Sequence, residues 1–257
     1  MLGAAVGSFL NVVVYRLPAG QSLIYPPSRC PQCQHRLRLY ENVPILGWFW
    51  LKGRCAHCRQ PISMRYPVVE TATGLLFLLV FWQFGFSALT IAGWLLLSWL
   101  LALSLIDLDT LTLPNSLTQS GLVLGLLFQF LLGGTSIGWL GGAITQLVSG
   151  VFGAVLGIWL VDGIILLGSL ALGQTAMGGG DGKLAAMIGA WLGWKLLLLT
   201  GLLACLIGAI AGITAISLGR LSRRQPMPFG PSLAAGAAIS ALWGQAILSA
   251  YWQIYYP

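Results

Sequence analysis

Charged residues are scarce in this chain. Only 7% of its 257 residues are Asp, Glu, Lys or Arg, against 57% hydrophobic ones, whereas soluble domains carry about 25%. The deficit excludes an ordinary soluble domain and points to an integral membrane protein. A basic n-region is also missing: Met1 leads straight into Leu2-Gly3-Ala4-Ala5, which argues against a cleaved signal peptide. No repeat of fixed period and no low-complexity linker breaks the sequence. Acidic residues number only six, so each one in an apolar run needs an explanation.

The basic residues are clustered. Thirteen of them give a net charge of +7, and eight (Arg16, Arg29, Arg36, Arg38, Lys52, Arg54, Arg59 and Arg65) fall between residues 16 and 66. In a soluble chain that balance would suggest nucleic acid. Confined to loops, it sets membrane orientation instead, so no nucleic-acid partner is expected and segment 16–66 faces the cytoplasm. Residues 1–15 form an apolar segment that is short against the ~20 residues of a spanning helix, closed by Arg16 and Pro18. From Pro67 the chain is almost continuously apolar, and spans are predicted at 67–86, 88–107, 116–133, 146–170, 184–199, 201–219 and 231–254.

The expected fold class is thus an all-α polytopic membrane protein of about eight transmembrane helices. It would comprise a short first helix (1–15), a cytoplasmic loop domain (16–66) and a membrane domain (67–257). With the N-terminus outside, the count places Asp107, Asp181 and a further basic cluster at Arg220, Arg223 and Arg224 on the cytoplasmic side. Small residues at close spacing, Gly150 and Gly153 and the run from Gly201 to Gly212, read as close helix packing in lipid. Tryptophans such as Trp48, Trp50, Trp191 and Trp194 are expected mostly as interfacial anchors.

Four of the six acids lie in or beside apolar runs: Asp107, Asp109, Asp162 and Asp181. A carboxylate at membrane depth is costly and marks a functional site by default. Asp181 stands in Gly178-Gly179-Gly180-Asp181-Gly182-Lys183, and Asp107 is its best candidate partner. Two carboxylates brought together share a proton, so one can take a proton from water while the other donates to a peptide carbonyl. Absent side chains at Gly178 and Gly180 would let an extended substrate backbone approach. Asp109, two positions past Asp107, would point the other way on a helix. The competing reading of these acids is helix capping at the interface. Lys183 is expected either to tune Asp181 or to meet lipid headgroups. Asp162 is expected to bond a neighbouring helix or to join the site.

Five cysteines are present, four of them in Cys30-Pro31-Gln32-Cys33 and Cys55-Ala56-His57-Cys58. That is the knuckle spacing of a four-thiolate zinc site, with closed structural coordination the expected type. A redox dithiol competes, although neither pair lies in a thioredoxin-like βαβ context. His35 and His57 flank the thiols as possible replacement ligands or as solvent-facing loop residues. Cys205, alone in an apolar span, is expected to be inert packing.

Taken in order, these motifs resemble the type IV prepilin peptidases, bifunctional leader peptidases and N-methyltransferases of the GxGD aspartic type. Gly7-Ser8-Phe9-Leu10-Asn11-Val12 with Tyr15-Arg16-Leu17-Pro18 resembles the family's opening. The two CxxC pairs, then Ile62, Arg65-Tyr66-Pro67 and Glu70, resemble its cytoplasmic loop. Ile106-Asp107-Leu108-Asp109 with Leu113-Pro114-Asn115 resembles its first aspartate motif. Gly178 to Leu184, followed by Ile188-Gly189-Ala190-Trp191-Leu192-Gly193, resembles its second. Two departures stand out: Thr175-Ala176 replaces a frequent Glu-Gly, and the N-terminus is shorter than usual.

The resemblance implies a multi-pass protein of the bacterial inner membrane. It implies an endopeptidase using Asp107 and Asp181, with Asp109 a lesser candidate, that removes the basic leader of type IV prepilins or pseudopilins at the cytoplasmic face. It also implies methylation of the new amino terminus with S-adenosylmethionine, associated with the cysteine-bearing loop. The alternative is a zinc-knuckle membrane scaffold or ion-coupled transporter whose acids bind protons or cations.

Overall fold

The computed structural model describes residues 1–38, 40–133, 139–172, 178–219 and 227–255. The basic cluster expected at Arg220, Arg223 and Arg224, and the departure at Thr175-Ala176, lie outside the described residues. Among the described residues eight helices follow in order: α1 (Leu2–Arg16), α2 (Leu46–Trp50), α3 (Arg65–Phe84), α4 (Ala88–Thr110), α5 (Asn115–Leu132), α6 (Trp139–Leu172), α7 (Gly180–Ser217) and α8 (Gly230–Tyr255). Among the described residues there is no strand, only two isolated bridges. Six of the helices, α3 to α8, are long and apolar enough to cross a membrane, and α1 is a shorter apolar helix. Only helices and closed barrels satisfy every backbone polar group in lipid, so a helical architecture is what this composition permits.

The chain divides into two compact units, Met1–Ser98 and Trp99–Pro257. In the first, α1 packs on α3 through two missing side chains. A Cβ on Gly3 would meet the Phe77 side chain at 2.8 Å, and one on Gly7 would meet Glu70 Cα at 2.7 Å. Lipid tails are as apolar as leucine, so close van der Waals approach rather than water exclusion holds such pairs. Trp94 of α4 stacks on Phe77 with ring centroids 5.0 Å apart and donates Nε1–H to the Phe77 carbonyl at 2.9 Å. Between α1 and α3 the excursion is tied down by acids. The buried Glu70 carboxylate accepts the Ile45 N–H at 2.6 Å, and buried Glu41 accepts the Arg38 N–H at 2.9 Å.

In the second unit, α6 runs antiparallel to the start of α7. Gly157 faces Ala185 and Gly153 faces Gly189, with no room for a Cβ on either glycine of the second pair. Helix α5 lies parallel to the same stretch: Asn115 meets Lys183, Gly121 meets Met187 and Gly125 meets Trp191.

Spans were expected at 184–199 and 201–219, with a turn near residue 200. The break lies earlier. Gly193 has φ 74° and ψ 172° inside α7, and a Cβ there would meet Ser149 Oγ at 2.6 Å. The chain reverses at this point. Helix α8 runs antiparallel to the second limb, with Gly244 against Leu196, Gly236 against Thr200, and Ser232 against Gly208. Its start, Gly230, lies against Asp107, which is within electrostatic reach of Asp181. An unbroken helix would hold Gly208 ~40 Å from Asp181, which these contacts forbid.

Candidate active site and metal centre

Four helix termini converge at one end of the second unit: the end of α4 and the starts of α5, α7 and α8. Asp107, in the last turn of α4, and Asp181, in the first turn of α7, are both 6% exposed. The two carboxylates are close enough to feel each other's charge. Oδ2 of Asp107 accepts the Gly230 N–H at 3.0 Å, and the Asp181 N–H is bonded to the Gly178 carbonyl at 3.1 Å. Asp109 is exposed, on the other face of α4 as helical geometry requires.

The neighbours sort differently from expectation in places. Lys183 donates Nζ–H to Asn115 Oδ1 at 2.7 Å and so ties α7 to α5. Asp162 is exposed on α6, yet its Oδ1 lies 3.4 Å from where a Cβ on Gly182 would stand. It therefore borders the acid pair. Trp191 is no interfacial anchor: it is 7% exposed, because the gap left by Gly125 receives its ring and the Gly121 carbonyl accepts its indole N–H. Trp50, 85% exposed, is free of such packing. Cys205 is exposed on the second limb of α7 rather than packed.

The glycine frame has a telling geometry. A Cβ on Gly178 or Gly179 would meet nothing within 4 Å, and Gly179 has an ordinary φ of −62°. Among the described residues no packing contact calls for glycine at either position, and no backbone strain does at Gly179. Gly180 is tighter, with Leu113 Cβ at 3.1 Å. Gly230 was not singled out from the sequence. Its signal is the Gly-Pro pair opening the last apolar run, and what it contributes is a backbone N–H that no side-chain pattern announces.

In the first unit the two CxxC pairs come together. The Sγ atoms of Cys30, Cys33, Cys55 and Cys58 all lie within 4.8 Å of one another, with Cys30–Cys58 at 3.8 Å and Cys33–Cys55 at 3.9 Å. Four thiolates at about 2.3 Å from zinc form a tetrahedron with edges of about 3.8 Å, so the donor set fits that ion. The separations are far too long for disulfides, and all four cysteines are free.

The knuckles match turn for turn. Cys30 N–H bonds to His35 O and Cys55 N–H to Gln60 O, both at 2.9 Å, while Gln34 and Arg59 hold equivalent positive φ values of 58° and 60°. His35 and His57 stack on each other with centroids 5.0 Å apart and stay outside the thiol cluster. Burial opposes the Cys30 thiolate, but the N–H groups of Cys33 and Gln32, with the thiols of Cys33 and Cys55, together outweigh it and bring its pKa to about 7. At Cys58 the Gln60 N–H favours the thiolate, yet burial and the thiols of Cys33, Cys55 and Cys30 push it up to about 12.

Buried acids at converging helix ends in one unit and a four-thiol cluster in the other mark a polytopic membrane protein equipped for hydrolytic chemistry. Comparison with known proteins narrows the class. Residues 1–84 match the bacterial peptidase A24 N-terminal domain and residues 94–213 the type IV leader peptidase family. Prepilin leader peptidase/N-methyltransferases from Stutzerimonas stutzeri and Pseudomonas aeruginosa are each 40% identical over 98% of this chain and 92% of their own length. The protein of that name from Aeromonas hydrophila is 40% identical over 96% and 90%. The chain belongs to the type IV leader peptidase family. No solved structure matches it.

Proposed function

We propose that this protein is a prepilin leader peptidase that also methylates the amino terminus it exposes, acting on type IV prepilins or pseudopilins at the cytoplasmic face of the bacterial inner membrane. Asp107 and Asp181 are the catalytic pair. The single observation that supports the assignment is that these two buried carboxylates, from α4 and α7, lie within reach of each other's charge where helix ends converge.

A buried acid pair works with one proton between its members. The ionised carboxylate takes a proton from water as the oxygen attacks the scissile carbonyl. The protonated carboxyl donates to the carbonyl oxygen, and on collapse a proton passes to the departing amine. No covalent intermediate is needed. Substrate backbone lies across Gly178 and Gly179, where the open space around both residues matches an approaching peptide. Lys183 and Asn115 brace the start of α7 against α5 rather than touching the reacting atoms. Asp109, exposed on α4, acts at most from outside the pair.

Zinc fits the four thiols and would close residues 30–58 into a rigid module in a structural role. Methyl transfer from S-adenosylmethionine is assigned on the name the relatives carry, and the chemistry derived from this chain's residues concerns cleavage. Nothing observed favours the transporter or scaffold reading.

The test is co-expression with a type IV prepilin precursor, reading the mass of the pilin. Wild type should remove the leader and add one methyl group. Asp107→Asn and Asp181→Asn should each leave the precursor intact while the enzyme remains inserted. Full cleavage by Asp181→Asn would overturn the assignment.

A further inference from the structure

Gly230 is glycine for a reason that lies outside its own helix. A Cβ on it would stand 2.6 Å from Asp107 Oδ2 and 3.1 Å from Asp107 Cγ, and its φ lies outside the positive range that only glycine favours. Its N–H, at the start of α8 where no intrahelical acceptor exists, is bonded to that same oxygen at 3.0 Å in a buried, long-range contact.

We propose that Gly230 is the positioning residue of the peptidase reaction: its N–H and its bare Cα together fix where the Asp107 carboxylate stands relative to Asp181. The inference rests on the aspartic peptidase reading and adds a third participant to it.

Three observations make α8 the rigid partner in this contact. Gly236 packs with a would-be Cβ 2.7 Å from Thr200 O, and Gly244 with one 2.6 Å from Leu196 Cδ2, so α8 lies closely packed on the second limb of α7 along its length. The first turn is closed by the Leu233 N–H on Phe229 O at 3.0 Å. Pro231 directly follows Gly230, and its ring locks φ at about −65°. On the other side, the Asp107 backbone is held by the Leu111 N–H on its carbonyl at 2.9 Å. Only the Asp107 side chain is left to yield, so a methyl group at position 230 rotates the carboxylate and breaks its bond together. A reacting group misplaced by about 1 Å can cost about 100-fold in rate.

The experiment measures kcat and KM of the purified full-length enzyme on a prepilin precursor. Gly230→Ala should lower kcat by about 100-fold, with KM within about twofold and the thermal midpoint unchanged, because precursor binding and the fold do not depend on the orientation of this carboxylate. Gly208→Ala, whose Cβ meets only ordinary contacts at 3.4 Å and beyond, should keep wild-type values.

A wild-type kcat in Gly230→Ala overturns the inference, as does a parallel loss of kcat, KM and thermal midpoint. Hydrogen exchange gives a second measurement that needs no Gly230 variant. In Asp107→Ala, the peptide spanning 227–233 should exchange at least ten times faster while 236–244 is unchanged, and equal exchange at 227–233 would also sink it. The two readings fail separately. Cleavage by Asp107→Asn removes the peptidase assignment, whereas inactive Asn variants beside a fully active Gly230→Ala remove only the role of Gly230.

Discussion

Trp191 donates its indole N–H to the Gly121 carbonyl at 2.7 Å, and its ring fills the space that a side chain on Gly125 would occupy. The bond ties α5 to the first limb of α7 in parallel register. The Lys183–Asn115 contact continues the same seam to the start of α7, beside Asp181. The seam therefore sets the height of the second aspartate on the bundle.

Trp191→Ala should empty that space and destabilise the protein by about 3 to 5 kcal/mol, the usual cost of truncating a buried aromatic. Cleavage should fall along with stability. Thermal unfolding in detergent checks the first, and precursor processing the second. Trp50→Ala, at an 85% exposed site, should leave both within about 0.5 kcal/mol of wild type.

A second contrast comes from two glycines of α7. Gly189 abuts the Gly153 backbone with no space for a methyl group, while Gly201 has nothing within 4 Å. Gly189→Ala should push α6 away and cost about 1 to 3 kcal/mol. Gly201→Ala should be neutral or stabilise by up to about 1 kcal/mol, since alanine is the better helix former. Equal midpoints for the two variants would contradict the packing of α6 on α7.

The helical class, the four-thiol cluster and the meeting of Asp107 with Asp181 were all legible in the chain, because each is carried by side chains at telling spacings. The cysteine knuckles read directly, since four thiols in two CxxC pairs have few other uses. The reversal at Gly193 was not legible. Residues 184–219 are largely apolar, with Lys195 the one charged residue, and carry glycines at 189, 193, 201, 208, 212 and 219, so hydropathy cannot say which one turns the chain. Position 193 is the one held at φ 74° against Ser149. Trp191 misled for a related reason. Tryptophan favours the membrane interface on average, but the space that receives this ring is left by Gly125 on another helix, where Gly121 offers the carbonyl for its N–H. Gly230 escaped notice because its contribution is a peptide N–H.

Metal binding should couple to protons in a way the two unusual thiols specify. Zinc takes thiolates, so protons compete with it and affinity should rise with pH. Cys58, at about 12, is protonated throughout the neutral range and gives up a proton on binding at pH 6 and pH 8 alike. Cys30, at about 7, is mostly protonated at pH 6 and mostly ionised at pH 8. Proton release per zinc should therefore be larger at pH 6 than at pH 8, because the coupled thiol cluster holds more protons at the lower pH. Potentiometric titration of the metal-free protein with zinc measures it. Cys30→Ser, which removes one of the four thiols, should weaken zinc binding.

The open glycines before Asp181 allow a test of where the substrate lies. Alanine at 178 or 179 meets no atom of the described residues within 4 Å, and the φ of Gly179 suits any residue, so both variants should fold and insert as wild type does. If peptide backbone crosses this frame, the added methyl groups stand between it and Asp181. Gly178→Ala and Gly179→Ala should then raise KM for the precursor and lower kcat/KM by about tenfold or more, with the thermal midpoint unmoved. Gly163→Ala is the matched control: its Cβ also meets nothing within 4 Å, but it sits in α6, outside the frame. Wild-type kinetics in all three variants would place the substrate elsewhere and leave Gly178 and Gly179 without a role in cleavage. Losses confined to the two frame variants would locate the scissile strand against the first turn of α7, on the side from which Asp181 can reach its carbonyl.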